Sequence, residues 1–310
     1  MALGAILTGG IGRACAFGLL LLGGLMLPSG EARAAISGCS MTSTGIVFSP
    51  YNSQTKTPVD GAATISVTCT GNGNGNNNQV SINLTGGNGA SCGERQMSGG
   101  TAALSYQLYR DATRLLPLCN DTSSLNHRFN FTSSGTQTET FTVYGRVAGL
   151  QNPAPGTYND LLTLTVTQGG STFASTSFQV SGSASASCSV SAGTLGFGTY
   201  SAASPSLASA PVSVNCSTGA VYQVSLGSGQ NGSGASRRMA GPGGALLAYD
   251  LFRDATRLLP WGDGTTLGAR LPGIGTGSAQ NLTVYGRIPA AQSAAAAGDY
   301  GDSVIVTVEY

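Results

Sequence analysis

Six of the seven cysteines lie beyond residue 34, at Cys39, Cys69, Cys92, Cys119, Cys188 and Cys216, and they are the side chains best suited to covalent chemistry. In an exported chain an even number of cysteines points to disulfides closed in an oxidising compartment. Structural zinc would need CxxC pairs or accompanying histidines, and neither occurs. His127 is the only histidine, so a Ser-His-Asp arrangement would have to pass through it, and no G-x-S-x-G elbow surrounds any serine. Gly71-Asn-Gly-Asn-Gly75 is glycine-rich but lacks the lysine and following helix of a phosphate loop, which leaves a flexible connection. These residues predict no enzyme, no metal and no cofactor.

The elements that must hold the cysteines are strands. Charged residues are 9% of the chain and hydrophobic ones 41%, too apolar for a disordered polar tract. Lys56 is the only lysine and glutamate occurs four times, so no amphipathic Glu/Lys/Leu helix face can be drawn. Arg13, the apolar run from Ala14 to Leu27 and the small-x-small Ala32-Arg33-Ala34 read as a secretory signal peptide over residues 1–34, too short to span a bilayer. Without it, twelve basic and twelve acidic residues remain, and no basic stripe suits nucleic acid.

The sequence also contains itself. Tyr106-Gln-Leu-Tyr-Arg-Asp-Ala-Thr-Arg-Leu-Leu-Pro117 recurs as Tyr249-Asp-Leu-Phe-Arg-Asp-Ala-Thr-Arg-Leu-Leu-Pro260, and Thr142-Val-Tyr-Gly-Arg146 as Thr283-Val-Tyr-Gly-Arg287. Ile65-Ser-Val-Thr-Cys69 matches Val212-Ser-Val-Asn-Cys216, and Gly156-Thr-Tyr-Asn-Asp160 matches Gly298-Asp-Tyr-Gly-Asp302. The period, about 140 residues, is that of a whole duplicated domain rather than a solenoid repeat. Short alternating runs separated by Gly, Asn, Ser and Pro make each copy a β-sandwich, with Asp111 and Asp254 in hairpin turns. The duplication also pairs Cys39 with Cys69 and Cys188 with Cys216, leaving Cys92 and Cys119 as a bridge private to the first copy.

The two copies end differently. Tyr300, Val304, Val306, Val308 and Tyr310 share one phase of a final strand that should face a core. In the first copy the matching strand is followed by a further alternating run, with Thr176, Phe178 and Val180 on one face. The second copy has no such run, and a sandwich one strand short exposes an apolar groove beside unpaired backbone groups.

Both copies resemble the spore coat protein U domain, the subunit module of archaic, Csu-type chaperone-usher pili. The resemblance rests on the early cysteine of each copy, Phe197-Gly-Thr-Tyr200, the strand ending in Cys, the YxLYRD and YDLFRD hairpins, VYGR and the final GxYxD strand. It implies an all-β chain of two tandem immunoglobulin-like, pilin-like sandwiches, the second lacking its final strand. A periplasmic chaperone would hold the subunit, an outer-membrane usher would export it, and an adjacent pilin subunit would donate a strand. Only Ala35 to Gly38 precede Cys39 in the expected mature chain, too short for a donor of its own. The expectation is a fimbrial tip adhesin on the cell surface of a Gram-negative bacterium, acting in surface attachment or biofilm formation. Residues 35–182 would be the self-completed head, and 183–310 the incomplete anchor. A structural spore-coat or matrix protein and a shaft or adaptor subunit are the alternatives. Loops at Asn74 and Asn76, Leu116, and Leu150 and Pro153 are candidate contacts to an unknown surface or receptor.

Overall fold

A computed structural model describes residues 36–55, 57–73, 78–89, 95–100, 102–119, 125–292 and 296–310. The first half holds β1 (Ile36–Ser43), β2 (Ile46–Val47), β3 (Tyr51–Asn52), β4 (Val59–Asn72), β5 (Asn78–Gly86), β6 (Arg95–Gly99), β7 (Ala102–Tyr109), β8 (Leu125–Phe129), β9 (Ser134–Val147), β10 (Gly156–Gln168) and β11 (Ser171–Ser185). They form one hydrogen-bonded sheet in the order β1-β4-β9-β7-β6-β10-β11-β2, with β3 on β11 and β5 joining β10 to β8. The sheet turns over at β7, which pairs with β6 through its first residues and with β9 through its last. Two layers result, and the first core fills the space between them.

The second half holds β12 (Cys188–Ala192), β13 (Ser206–Cys216), β14 (Val221–Leu226), β15 (Arg237–Ala240), β16 (Leu246–Phe252), β17 (Leu271–Ile274), β18 (Ala279–Ile288) and β19 (Val306–Glu309). A five-stranded sheet, β12-β13-β18-β16-β15, faces a three-stranded one, β17-β14-β19, across a second core. The two halves are tandem immunoglobulin-like sandwiches. No helix among the described residues is long and apolar enough to cross a membrane.

Alternation decides which side chains enter. Along β10, Tyr158, Asp160, Leu162, Leu164 and Val166 are at most 3% exposed while the residues that alternate with them are exposed or half-buried. Cys39 and Cys69 lie opposite each other on β1 and β4 and are joined, as are Cys188 and Cys216 on β12 and β13. Each bridge staples the first strand of a sandwich to its neighbour, closing separations of 30 and 28 residues. Loops of that size contribute about 3–4 kcal/mol in the chain-entropy account. Cys119 is disulfide-bonded; Cys92 lies outside the described residues.

Both hairpin aspartates cap their turns. Asp111 accepts hydrogen bonds from the Leu115 and Leu116 amides at 3.1 and 2.7 Å and from the Thr113 hydroxyl. Asp254 does the same with Leu258, Leu259 and Thr256. Arg114 and Arg257 complete the turns at φ of 58° and 57°, a conformation that non-glycine residues rarely adopt. The threonine hydroxyls, then the backbone amides, hold both carboxyls below the usual carboxylate range. A depressed folded-state value means that the turn contributes stability above the ordinary carboxylate pKa and loses it as pH falls through the lowered one. Titration followed by NMR should therefore show Asp111 and Asp254 among the last carboxyls to protonate. Replacement of Thr113 by valine should raise the Asp111 midpoint while leaving that of Asp254 in place.

Candidate functional site

Duplication supplies an internal control, because most positions in one sandwich have a counterpart in the other. In the first, β11 runs antiparallel to β10 from Gly156↔Ala184 to Gln168↔Ser171 and parallel to β2 and β3 on its other side. Phe178 and Val180 are 0% exposed and Thr176, in the same phase, is half-buried. Phe178 sits opposite Leu162, Val180 opposite Asp160 and Gly182 opposite Tyr158. Burial of a Phe and a Val at that level stabilises by about 1.5–3 kcal/mol each.

In the second sandwich, among the described residues, β19 has one neighbour, β14, and nothing pairs with its other edge. Residues 298–310 correspond to the thirteen of β10, yet strand structure covers only Val306–Glu309. Ile46, Phe48 and Tyr51, which touch β11 or flank its contacts, are at most 3% exposed; their counterparts Leu195, Phe197 and Tyr200 are only half-buried. Tyr300, Val304 and Val306 are likewise half-buried where Tyr158, Leu162 and Leu164 are fully so. The outcome is an open groove in two adjoining compartments of about 400 and 840 Å³. Both compartments are lined by Leu195, Phe197, Met239 and Tyr300, and the smaller one adds Asp302, Val304 and Val306.

Of the five residues expected on this strand, Val308 packs against the core without lining the groove. Tyr310 departs from expectation: it is 61% exposed, because the ladder between β14 and β19 ends at Glu309.

A polar frame underlies the groove. The Tyr249 hydroxyl donates to Asp302 at 2.7 Å, and the other carboxylate oxygen accepts from the Gln230 amide at 2.8 Å. Burial and the bond to Asp302 push the Tyr249 hydroxyl well above the usual phenol range, so it stays a donor. Arg237, 3% exposed, donates to the carbonyls of Leu226, Gly227 and Trp261. In the first sandwich Tyr106 and the Asn88 amide hold Asp160 in the same way, at 2.6 and 2.9 Å. The frame fixes Asp160 within β10 and Asp302 in the matching segment ahead of β19. Gly286 in VYGR is required by close approach: a Cβ there would lie 2.6 Å from the Phe197 ring and 2.7 Å from Leu195.

The arrangement offers a strand edge over an apolar trough. A family profile described as the Spore Coat Protein U domain matches residues 31–165 and again 174–307. The chain belongs to the spore coat protein U domain family. Protein U of Myxococcus xanthus is 33% identical over 145 residues, which cover 42% of this chain and 79% of that protein. Among solved structures, a chain of the CsuC-CsuE chaperone-tip adhesion subunit pre-assembly complex of Acinetobacter baumannii is 18% identical and has a TM-score of 0.44, covering 75% of this chain and 84% of that one. The CupB6 tip adhesin of Pseudomonas aeruginosa is 13% identical with a TM-score of 0.37, covering 88% and 94%.

The loops of this chain depart from expectation in several places. Asn74 and Asn76 lie outside the described residues, but Gly71 and Asn72 belong to β4 and pair with Gly135 and Ser134, so the glycine-rich connection is shorter than its composition suggests. Pro153 is buried, and its neighbour Asn152 accepts a bond from the Thr218 amide at 3.4 Å, which places that loop at the junction of the sandwiches. It is no free tip. Leu150, beside it, is 73% exposed. Leu118 and Trp261 are core residues at 1% and 0%, whereas the leucines before them face solvent: Leu115 and Leu116 are 77% and 48% exposed, as are Leu258 and Leu259. Ile36 is a core residue of β1 at 3% exposure, so the stretch ahead of Cys39 is used by the first sandwich itself.

Two latches escaped sequence reasoning. The Gln151 amide donates to the Tyr51 hydroxyl at 2.7 Å while its side chain bonds both backbone groups of Ser105. Gln292 repeats this with Tyr200 and Ala248. Only the recurrence of a glutamine a few residues after VYGR could have signalled them. The junction also hides three hydroxyls: Ser53 lies 2.9 Å from Ser217 and 3.2 Å from Ser187, which are themselves 3.0 Å apart.

Proposed function

We propose that this protein is the tip adhesin of a chaperone-usher pilus, anchored through its second sandwich by donor-strand complementation. The observation that carries the reading is the contrast between the copies: Phe178 and Val180 of β11 seal the first core, while the matching edge of β19 lies open. An unpaired edge above an apolar trough is the acceptor that strand addition requires, main-chain bonds supplying affinity and alternate side chains filling pockets. The same edge invites aggregation in an isolated subunit, which is the physical reason for a periplasmic chaperone; an outer-membrane usher and an adjacent pilin subunit complete the partners. The first sandwich is the head and the second the anchor; β11 of the head runs to Ser185, so the division falls between Ser185 and Cys188 rather than at the expected 182. Contact with a surface or receptor falls to exposed apolar turns of the head, Leu116 and Leu150 among them.

Co-expression with a chaperone and usher of this pilus class, followed by immunogold labelling with antibody against the first sandwich, tests the assignment. Label at one end of each fibre is expected. Label spaced along the shaft would refute the tip position, and fibres free of label would refute the pilus role.

A further inference from the structure

Resting on the donor-strand reading, we infer that the groove of the second sandwich selects its occupant by a sequence pattern that this chain carries in β11. The pattern is an aromatic residue opposite Val304, a β-branched residue opposite Asp302 and glycine opposite Tyr300. The register of the first sandwich sets it, since Phe178, Val180 and Gly182 face Leu162, Asp160 and Tyr158, the counterparts of those three groove residues. Each choice has a physical cause. Phe178 is wholly buried, and Val304 and Val306 stand where the first sandwich has Leu162 and Leu164, so the trough under that position has lost two methylenes of lining and takes an aromatic ring without strain. Val180 covers the carboxylate held by tyrosine and a backbone amide, a place for a short, stiff apolar side chain. A Cβ on Gly182 would stand 3.3 Å from Phe48 and 3.6 Å from Met97, residues matched by Phe197 and Met239 in the groove wall. The occupant runs antiparallel to β19 and parallel to Leu195–Tyr200, as β11 does to β10 and to β2 and β3. Its arrival also gives residues 298–305 the partner edge without which they are not strand.

A synthetic peptide of residues 171–185, fluorescently labelled and titrated into the purified full chain, tests this. It should bind and slow amide exchange over 298–305. A peptide with Phe178→Ala should bind at least ~100-fold more weakly, given the usual cost of emptying an aromatic pocket. A Gly182→Val peptide should bind more weakly and protect 298–305 less than the parent peptide. If all three peptides bind alike and protect 298–305 equally, the pattern is overturned while strand addition to this edge stands. If none binds, nor any other alternating apolar peptide, the acceptor reading falls with it.

Discussion

Exchange of Phe178 for alanine should lower the stability of the first sandwich by about 3–5 kcal/mol, the usual cost of emptying a buried aromatic site. The ring is 0% exposed and sits on the strand that closes the edge of β10, opposite Leu162. Loss of the ring removes its transfer free energy and leaves a cavity beneath β11, because close-packed strands held in bonded ladders relax only partly into the space. Against a typical domain stability of about 5–15 kcal/mol this is a large fraction. Denaturant unfolding of the full chain, with near-ultraviolet circular dichroism to follow Trp261 in the second core, separates the two sandwiches. The transition of the first should move to lower denaturant while the tryptophan signal holds its midpoint. A shift under about 1 kcal/mol would mean that β11 is an accessory strand rather than part of the core.

Substitution of Val304 by aspartate should abolish incorporation into fibres and leave the free protein folded. Val304 is half-buried in the open groove, so in the uncomplemented chain a carboxylate there keeps much of its water. Once a strand covers it, the same carboxylate is dry and unpaired, beside the carboxylate of Asp302, at a cost of several kcal/mol. The control is the matching change in the first sandwich. Leu162 is 0% exposed beneath β11, so Leu162→Asp buries the charge at once and should unfold that half. Circular dichroism and chaperone co-purification of the Val304→Asp protein, with fibre recovery as the readout, check both halves of the expectation. Wild-type fibre yield from this variant would exclude the groove as the attachment point.

Much of this could be read from residue order. Two-residue alternation set the strands, and the repeated YRDATRLLP, VYGR and GxYxD segments set the duplication and with it the pairing of Cys39 with Cys69 and of Cys188 with Cys216. The extra run holding Phe178 and Val180 was visible as an unmatched period, because alternation is local and survives without knowledge of neighbours.

What needed the folded chain was anything that depends on partners distant in sequence. The bonds from Gln151 to Tyr51 and Ser105 span 100 and 46 residues, and no local pattern encodes them. Pro153 looked like a surface loop and is buried at the junction, since whether a loop tip is free depends on what packs against it. The shortness of β19 is of the same kind: residues 298–305 carry the period of a strand, but a strand exists only where a second edge accepts its hydrogen bonds. Composition and periodicity say which side chains want to be covered, and only the assembled sheets decide which of them are.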